Sequence, residues 1–250
     1  MSGHSKWASI KHQKGVTDAR RGQLFTKLTR EIIIAAREGG GNPEMNFRLR
    51  LAVQKARDNN MPMDNIDRAI KKGTGELEGG SLAELVLEGY GPSGTAILVS
   101  ALTDNRNRAI QEVRSTFTRH GSSLGESGCV AWLFDSKGVI TIKAESVDAD
   151  ELALTAIDAG AEDVKIENNY VEVYTKPEEL EAVRKTLEQK NLPIDASELS
   201  MVPKTLVPLD EKAALQALKL LDKLEEIDDV QNVFSNADIP DAIMESYQSQ

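Results

Sequence analysis

The sequence predicts an α+β protein of three domains. An N-terminal three-helix domain is followed by two ferredoxin-like α/β domains, and the third domain of the chain is inserted in the second. Apolar residues recur at helical spacing over the first 72 residues, and a glycine-rich stretch follows at 74–80. Short β-branched and aliphatic runs begin at Leu82. Residues 139–203 then give the pattern strand, helix, strand, strand, helix, strand, which is the split βαβ order of a ferredoxin-like unit.

The first helix is expected over residues 18–38. Thr17 or Asp18 can cap it, and three consecutive glycines at 39–41 end it. Its apolar residues recur at spacings of three and four, which is typical of an amphipathic helix packed on one face. They are Leu24, Phe25, Leu28, Ile32, Ala35 and Ala36.

Two shorter helices should complete the N-terminal domain. Asn42 is a good cap, and Pro43 a good first residue, for a helix that runs to about Asp58. The Met61-Pro62 pair breaks this helix, and a third helix follows, with Gly73 at the C′ position just after its end. The expected inward residues are Phe47, Leu51 and Ala52 in the second helix and Ile66, Ala69 and Ile70 in the third.

The rest of the chain alternates strands with helices. The Gly-Tyr-Gly-Pro-Ser-Gly run at 89–94 has the spacing of a dinucleotide-binding loop, but a strand pattern follows it, which indicates a hairpin turn instead. We expect Trp132 inside a core strand and Cys129 as a small core residue beside it. The expected strands are 85–90, 96–102, 130–134, 139–142, 164–166, 170–174, 198–202 and 230–234, and the expected helices are 105–120, 150–159, 177–190 and 210–224.

The second domain is predicted to be discontinuous. Residues 82–135 supply two strands, a helix and one more strand, so this unit still needs a helix and a strand. The tail at 205–236 supplies both. We therefore expect domains at 1–80, at 81–136 together with 205–240, and at 137–204.

Composition indicates a soluble cytoplasmic protein. The 250 residues are 40% hydrophobic and 28% charged, with only 4% aromatic residues, so the cores should be aliphatic. No apolar run approaches the about 20 residues that a membrane helix needs, so no membrane contact is expected. The N-terminus has no apolar segment of a secretory signal, and the single cysteine excludes an intramolecular disulfide.

Charge is distributed unevenly along the chain. The overall net charge is −10, yet residues 1–80 hold 15 Lys/Arg against 9 Asp/Glu, a net charge of +6. Residues 81–250 hold 15 Lys/Arg against 31 Asp/Glu, a net charge of −16. An asymmetry of this size indicates that the first part can meet a polyanion while the acidic remainder is repelled from it.

The first thirty residues are the main candidate for binding nucleic acid. They hold seven Lys/Arg against one acid, Asp18, and residues before Thr17 have too few apolar side chains to build a core. Lysine supplies charge, arginine supplies forked donors, and a tryptophan can stack on a base. The alternative is a solubilising N-terminal tail. The candidate contact residues here are Lys6, Trp7, Lys11, His12, Lys14, Arg20, Arg21 and Lys27.

A second candidate cluster is the run Thr103-Asp104-Asn105-Arg106-Asn107-Arg108, between a predicted strand and a predicted helix. Thr103 or Asp104 would make a good helix cap, which is a purely structural role. Arg106 and Arg108 could instead hold a phosphate or carboxylate at the positive end of the helix. Both interpretations stay open, since both can be true.

No pattern in the sequence indicates an enzyme. The histidines His4, His12 and His120 and the lone Cys129 lack the spacing of a zinc site, and no nucleophile–base arrangement stands out. We therefore expect no catalytic residues, no metal and no cofactor.

Several motifs together resemble the YebC/PmpR family over the whole chain. They are Gly3-His4-Ser5-Lys6-Trp7, Ile10-Lys11-His12, Phe25-Thr26-Lys27-Leu28, Asn59-Asn60-Met61-Pro62, Ile70-Lys71-Lys72-Gly73, Glu88-Gly89-Tyr90-Gly91-Pro92 and Thr103-Asp104-Asn105-Arg106-Asn107-Arg108. The resemblance implies a helical domain plus two ferredoxin-like domains, in a bacterial cytoplasmic protein of a family described as probable DNA-binding transcriptional regulators. The family also includes a mitochondrial translational activator, and its bacterial members have been linked to ribosome function.

The expected function is therefore a non-enzymatic regulator of gene expression that binds nucleic acid through the basic N-terminal arm and the helical domain, with DNA as the first target. The alternative is a translation factor that binds ribosomal RNA on the ribosome. Phosphate contacts are common to both, so the sequence does not separate them. It leaves the oligomeric state open as well.

Overall fold

The computed structural model describes residues 18–78, 80–144, 148–167 and 170–248. Three helices come first, and two four-stranded sheets covered by helices follow them. The predicted fold class, an α+β protein of several domains, is confirmed.

The first three helices pack on one another around an aliphatic core. They are α1 (Asp18–Gly39), α2 (Phe47–Asp58) and α3 (Met63–Gly73). The predicted stripe of α1 faces this core, since Ile32, Ala35 and Ala36 are almost fully buried and Leu24 and Phe25 are partly buried against it. The rest of this core comes mainly from Leu28 and Ile33 of α1, Leu49, Ala52, Val53 and Ala56 of α2, Met61, and Ile66 and Ala69 of α3.

Helix α2 begins later than the sequence predicts. Residues 43–45 form a turn, and the cap is Asn46 rather than Asn42. The buried Asn46 side chain accepts a hydrogen bond from the Leu49 backbone N–H at 3.0 Å and donates to the carbonyls of Ala35 and Gly40 at 2.7 and 2.8 Å. The Asn46 amide thus provides hydrogen-bond partners both for a backbone N–H at the start of α2 and for backbone carbonyls at the end of α1. A cap at Asn42 would not serve both helix ends.

Gly73 was predicted to follow the third helix, but it is the last residue of α3 and lies buried against α1. A Cβ added there would lie 2.5 Å from the Ile33 carbonyl oxygen and 2.7 Å from the Ala36 Cβ. Its role is therefore to let two helices approach closely, while the left-handed residue after the helix is Gly75, with φ +83°.

The strands of the first sheet are β1 (Ala83–Tyr90), β2 (Ala96–Thr103), β3 (Ser123–Leu124) and β9 (Val230–Ser235). Their order is β3-β1-β2-β9, with all neighbours antiparallel. β1 and β2 form a hairpin around a 3₁₀ turn at Pro92–Gly94, which confirms the hairpin interpretation of the glycine-rich run.

Two helices cover one face of this sheet, α4 (Arg106–Arg119) and α7 (Glu211–Glu225). Phe117, Val113 and Ala109 of α4 and the leucines of α7 are buried against the strands. The strand at 230–235 pairs with β2 although about 130 residues separate them in the chain. The division of the chain into the three domains proposed above stays a prediction.

The second sheet follows the predicted element order. Its strands are β4 (Phe134–Lys143), β5 (Asp163–Glu167), β6 (Tyr170–Thr175) and β7 (Ile194–Pro203), in the antiparallel order β5-β6-β4-β7. Helices α5 (Ala149–Asp158) and α6 (Leu180–Gln189) pack on one face over Ile140, Val171 and Val173.

Helix α2 lies between the helical core and the second sheet. Phe47 and Leu51, expected to face the helical core, pack instead at the edge of the core beneath α5 and α6. Ala52, also expected inward, is buried among the helices. The two faces of α2 therefore belong to different cores.

The end of the chain adds a short parallel pair, β8 (Val207–Pro208) with β10 (Ala237–Asp238), and a final helix, α8 (Asp241–Gln248). The sequence reasoning did not predict α8. It packs on α7 through the buried Met244 and through Tyr247, whose hydroxyl lies 2.7 Å from an Asp222 carboxylate oxygen.

The predicted strand at 130–134 is wrong. Ala131–Leu133 is a 3₁₀ turn, Phe134 begins β4, and Trp132 is 66% exposed instead of buried. The cause is Glu88, whose buried carboxylate accepts hydrogen bonds from the backbone N–H groups of Gly128, Val130 and Ala131. In a strand, such N–H groups would donate to a neighbouring strand instead. Cys129 lies half-buried two residues before the 3₁₀ turn, at the edge of a small apolar cluster.

Replacing Gly73 tests the close approach of α1 and α3. We expect Gly73→Ala to lower the free energy of unfolding by about 1–3 kcal/mol, because the new methyl group overlaps backbone and side-chain atoms of α1. Gly22→Ala in α1 is the matched control, since no atom lies within 4 Å of its added Cβ. It should raise stability by about 0.5–1 kcal/mol in a denaturant titration.

Replacing Glu88 tests the turn that precedes β4. Burial alone would raise the Glu88 pKa, but hydrogen bonds from Gly128, Val130 and Ala131 outweigh it and lower the pKa. Glu88 therefore stabilises the folded protein at pH values above the ordinary carboxyl pKa. This stabilisation is lost as the pH falls through the lowered pKa that Glu88 has in the folded state. Glu88→Gln should cost about 2 kcal/mol at neutral pH. Denaturant titrations from pH 7 to pH 3 should show the two proteins converging, and a constant difference would contradict the assignment.

Candidate nucleic-acid interface

The structure describes only part of the predicted interface. Lys6, Trp7, Lys11, His12 and Lys14 lie outside the described residues. Arg20 is in the first turn of α1, but its side chain is also outside the description. Arg21, the next residue, is exposed on α1. The predicted contacts that can be placed further are Lys27, Arg106 and Arg108.

Lys27 does not face solvent freely but contacts the end of α7. Its ammonium nitrogen donates a hydrogen bond to the Glu225 carbonyl oxygen at 2.5 Å. The Gln23 side-chain amide donates to an Asp228 carboxylate oxygen at 3.1 Å, and the Arg30 guanidinium donates to the Asp228 carbonyl oxygen. Residues 23, 27 and 30 fall on one face of a helix, so a single face of α1 docks here.

This face meets an acidic segment, residues 225–229, with the sequence Glu-Glu-Ile-Asp-Asp. The segment begins at the C-terminus of α7, where the helix dipole already places partial negative charge. Four carboxylates in this position repel one another. Lys223 of α7 pairs with Glu226 at 2.5 Å, and Lys27 and Arg30 supply further positive charge from another part of the chain.

Asp229 is the centre of this junction. Its side chain is 3% exposed, with one carboxylate oxygen 3.0 Å from an Arg30 guanidinium nitrogen. Its other oxygen accepts a hydrogen bond from Arg108 at 2.8 Å and another from the Thr103 hydroxyl at 2.9 Å. The Asp229 carbonyl also accepts from the Leu102 N–H at 2.8 Å. One buried carboxylate therefore joins α1, β2, α4 and the entry to β9.

The start of α4 shows how the second predicted cluster is arranged. Its cap is Asn105, whose side-chain oxygen accepts from the Arg108 N–H at 3.1 Å, and not Thr103 or Asp104. Thr103 is instead occupied with Asp229, and Asp104 pairs with the Arg108 guanidinium at 2.8 Å. Arg106 is exposed and shows no ion pair within the described residues.

Arg108 thus braces the start of α4 through Asp104 and Asp229, while phosphate binding by Arg106 and Arg108 stays a prediction. Hydrogen bonds to Asp229 and Asp104 raise its pKa further above the ordinary arginine value, which keeps the guanidinium charged. The structure brings Lys27 and Arg108 to the same junction, where Lys27 contacts Glu225 and Arg108 contacts Asp229. Sequence reasoning missed Gln23, Arg30 and Asp229, although the acidic run itself is visible in the sequence.

Other cations of the first three helices also bind later elements. The Arg48 guanidinium lies 2.8 Å from Glu31 and 2.7 Å from Glu38, and it also contacts Glu84 of β1. Lys55 pairs with Glu198 of β7 at 2.9 Å, and the Glu198 charge, opposed by burial, raises the Lys55 pKa. The cations left exposed in α2 and α3 include Arg57, Arg68 and Lys71.

Within the ranges that the structure describes, no group of histidine, cysteine, aspartate and glutamate side chains is arranged to hold a metal ion. None of the described helices is both long and apolar enough to cross a membrane.

Two family models match this chain, and together they span most of it. The model of the TACO1/YebC protein N-terminal domain matches residues 5–76. The model of the TACO1/YebC second and third domain matches residues 82–237.

Curated relatives match along the full length. A probable transcriptional regulatory protein of Dehalococcoides mccartyi is 60% identical over 250 residues, 100% of each chain. One of Natranaerobius thermophilus with the same description is 55% identical over 249 residues, 98% of this chain and 100% of that protein. The crystal structure of a conserved hypothetical protein from Aquifex aeolicus aligns with a TM-score of 0.85 at 51% identity, covering 94% of this chain and 98% of that chain.

Replacing Asp229 tests the junction. We expect Asp229→Ala to lower the free energy of unfolding by about 3 kcal/mol, because it leaves Arg30 partly buried without its carboxylate. Asp104→Ala removes an exposed partner of the same Arg108 and should cost less than about 1 kcal/mol. Denaturant titrations of both variants measure the difference, and equal losses would show that burial of Asp229 is unimportant.

Proposed function

Because the chain belongs to the TACO1/YebC family, we propose that it is a regulator of gene expression that binds nucleic acid through a basic segment at its N-terminus. We define the basic segment as residues 1–21. The first target in the proposal is the phosphate backbone of duplex DNA. The relatives described as probable transcriptional regulatory proteins support this assignment, and no catalytic step is part of it.

The observation that carries the proposal is the distribution of positive charge. The basic segment holds five Lys/Arg against one acid, whereas residues 81–250 have a net charge of −16. Further along α1, Lys27 and Arg30 are engaged by the acidic segment. A polyanion approaching the protein is therefore attracted to the basic segment and repelled by the two sheets.

The proposed contacts are now divided into two groups. Lys6, Lys11, Lys14, Arg20 and Arg21 would bind phosphates, with Trp7 and His12 beside them in the sequence. Arg106 is a further candidate because it is exposed in the first turn of α4, two residues from Arg108 at the junction. Lys27 and Arg108 would instead hold the junction that fixes α1, and we propose that they act on binding only through it.

Ribosomal RNA is the second candidate target, and Trp7 is the feature that favours it. An indole stacks readily on an unpaired base, which RNA loops present and duplex DNA does not. In this alternative the protein is a ribosome-associated translation factor. The phosphate contacts of the basic segment would be the same for both targets.

The salt dependence of binding tests the proposal on the full-length chain. We expect the affinity for a duplex DNA to fall steeply with salt, because each phosphate contact releases condensed counterions. Lys6→Ala, Lys11→Ala and Lys14→Ala together should make the log–log slope shallower by about 2 to 3. Fluorescence anisotropy at several salt concentrations gives the slopes.

The matched control carries Arg57→Ala, Arg68→Ala and Lys71→Ala, which remove the same charge from exposed positions on α2 and α3. Its slope should stay close to that of the wild type. If both triple variants lose binding equally, the attraction is general and the basic segment is not the interface. A ribosomal RNA hairpin bound more tightly than the duplex, with Trp7→Ala weakening only the hairpin, would favour the translation factor.

A further inference from the structure

An exposed aromatic pair lies at the far end of the first sheet from Asp229. Trp132 is 66% exposed and Tyr90 is 41% exposed. The indole N–H of Trp132 and the hydroxyl of Tyr90 both donate to the Cys129 carbonyl oxygen, at 3.1 and 3.2 Å. The polar ends of both rings are thus fixed at one atom. We call Tyr90 and Trp132 the aromatic pair.

The backbone beneath the aromatic pair is rigidly held. The Glu88 carboxylate accepts hydrogen bonds from the N–H groups of Gly128, Val130 and Ala131 at 2.6–2.7 Å. The Lys204 ammonium group donates to the Trp132 carbonyl oxygen at 2.9 Å and pairs with Asp135 at 3.2 Å. A surface ordered before binding loses little conformational entropy when a partner arrives.

The core does not account for the position of Trp132. Its neighbours Val130 and Phe134 are buried in a small apolar cluster, with Ala131 and Leu133 packed against them, while Trp132 points outward. An exposed tryptophan held in one orientation is typical of the residues that dominate binding at protein interfaces.

Charge around the aromatic pair indicates which partner would bind it. Residues 121–136 contain no Lys or Arg, but they contain Glu126 and Asp135. Both acids are exposed. Within the described residues, the two cations near Asp135 are already paired, Lys204 with Asp135 itself and Lys137 with Glu162. Since residues 81–250 have a net charge of −16, a nucleic acid would be repelled here and a basic chain attracted.

We propose that the aromatic pair is a docking surface for an arginine-rich segment of a partner protein. A guanidinium group stacks on the exposed face of Trp132, and Glu126 and Asp135 attract the neighbouring positive charges. Tyr90 widens the aromatic surface beside the indole. This site is separate from the basic segment and adds a second partner of opposite charge.

Binding of a nine-residue arginine peptide to the full-length protein tests the proposal. Trp132→Ala should weaken this binding about fivefold, as expected for a cation–π contact at an exposed site, and Trp132→Phe should weaken it less. Leu154→Ala is the matched control, because Leu154 is 69% exposed on the second sheet's helix α5. It should leave the affinity unchanged. Thermal unfolding of each variant confirms that the fold is retained.

Fluorescence then reports the contact itself. In a Trp7→Phe background Trp132 is the single tryptophan, and the arginine peptide should quench its emission. Glu126→Gln should weaken binding without abolishing the quenching at saturation. Equal affinity of Trp132→Ala and wild type would overturn the proposal in favour of diffuse attraction. Quenching by a nine-nucleotide thymidine strand, with none by the peptide, would assign the aromatic pair to nucleic acid instead.

Discussion

The carboxylate of Asp229 is the interaction on which the arrangement of the first helices and the first sheet depends. A buried charge is costly unless it is paired and hydrogen-bonded. The Oδ2 atom of Asp229 accepts hydrogen bonds from Arg108 and Thr103, and its Oδ1 atom has the Arg30 guanidinium as ion-pair partner but no hydrogen bond within the described residues. These partners come from α1, α4 and β2. Any packing that displaces one of them leaves a buried carboxylate partly unpaired, so the junction has little freedom to rearrange.

The same junction decides which cations remain for a partner. Gln23, Lys27 and Arg30 occupy one face of α1 and hold the acidic segment at the end of α7. The positive charge of α1 that the sequence alone assigns to nucleic acid is thus partly used inside the molecule. The cations in the middle of α1 therefore stabilise the fold. In our proposal the cations on its N-terminal side bind the nucleic acid.

Local patterns were enough to predict much of the fold and little of the site. The stripe of α1, the β1–β2 hairpin and the element order of the second sheet depend on residues close together in sequence. The errors involve distant partners. Glu88 organises N–H groups about 40 residues away, and Asp229 binds an arginine 121 residues away, so neither leaves a local pattern. Asn46 and Gly73 likewise depend on where α1 lies.

The first sheet also separates the Asp229 junction from the aromatic pair. Thr103, at the end of β2, contacts Asp229, and Tyr90 lies at the opposite end of the paired strand β1. Eight strand residues span about 23 Å. The junction that holds α1 and the aromatic pair therefore lie at opposite ends of the paired strands β1 and β2. In our two proposals the net charge of −16 on residues 81–250 repels the nucleic acid and attracts the basic partner, so one charge distribution selects both.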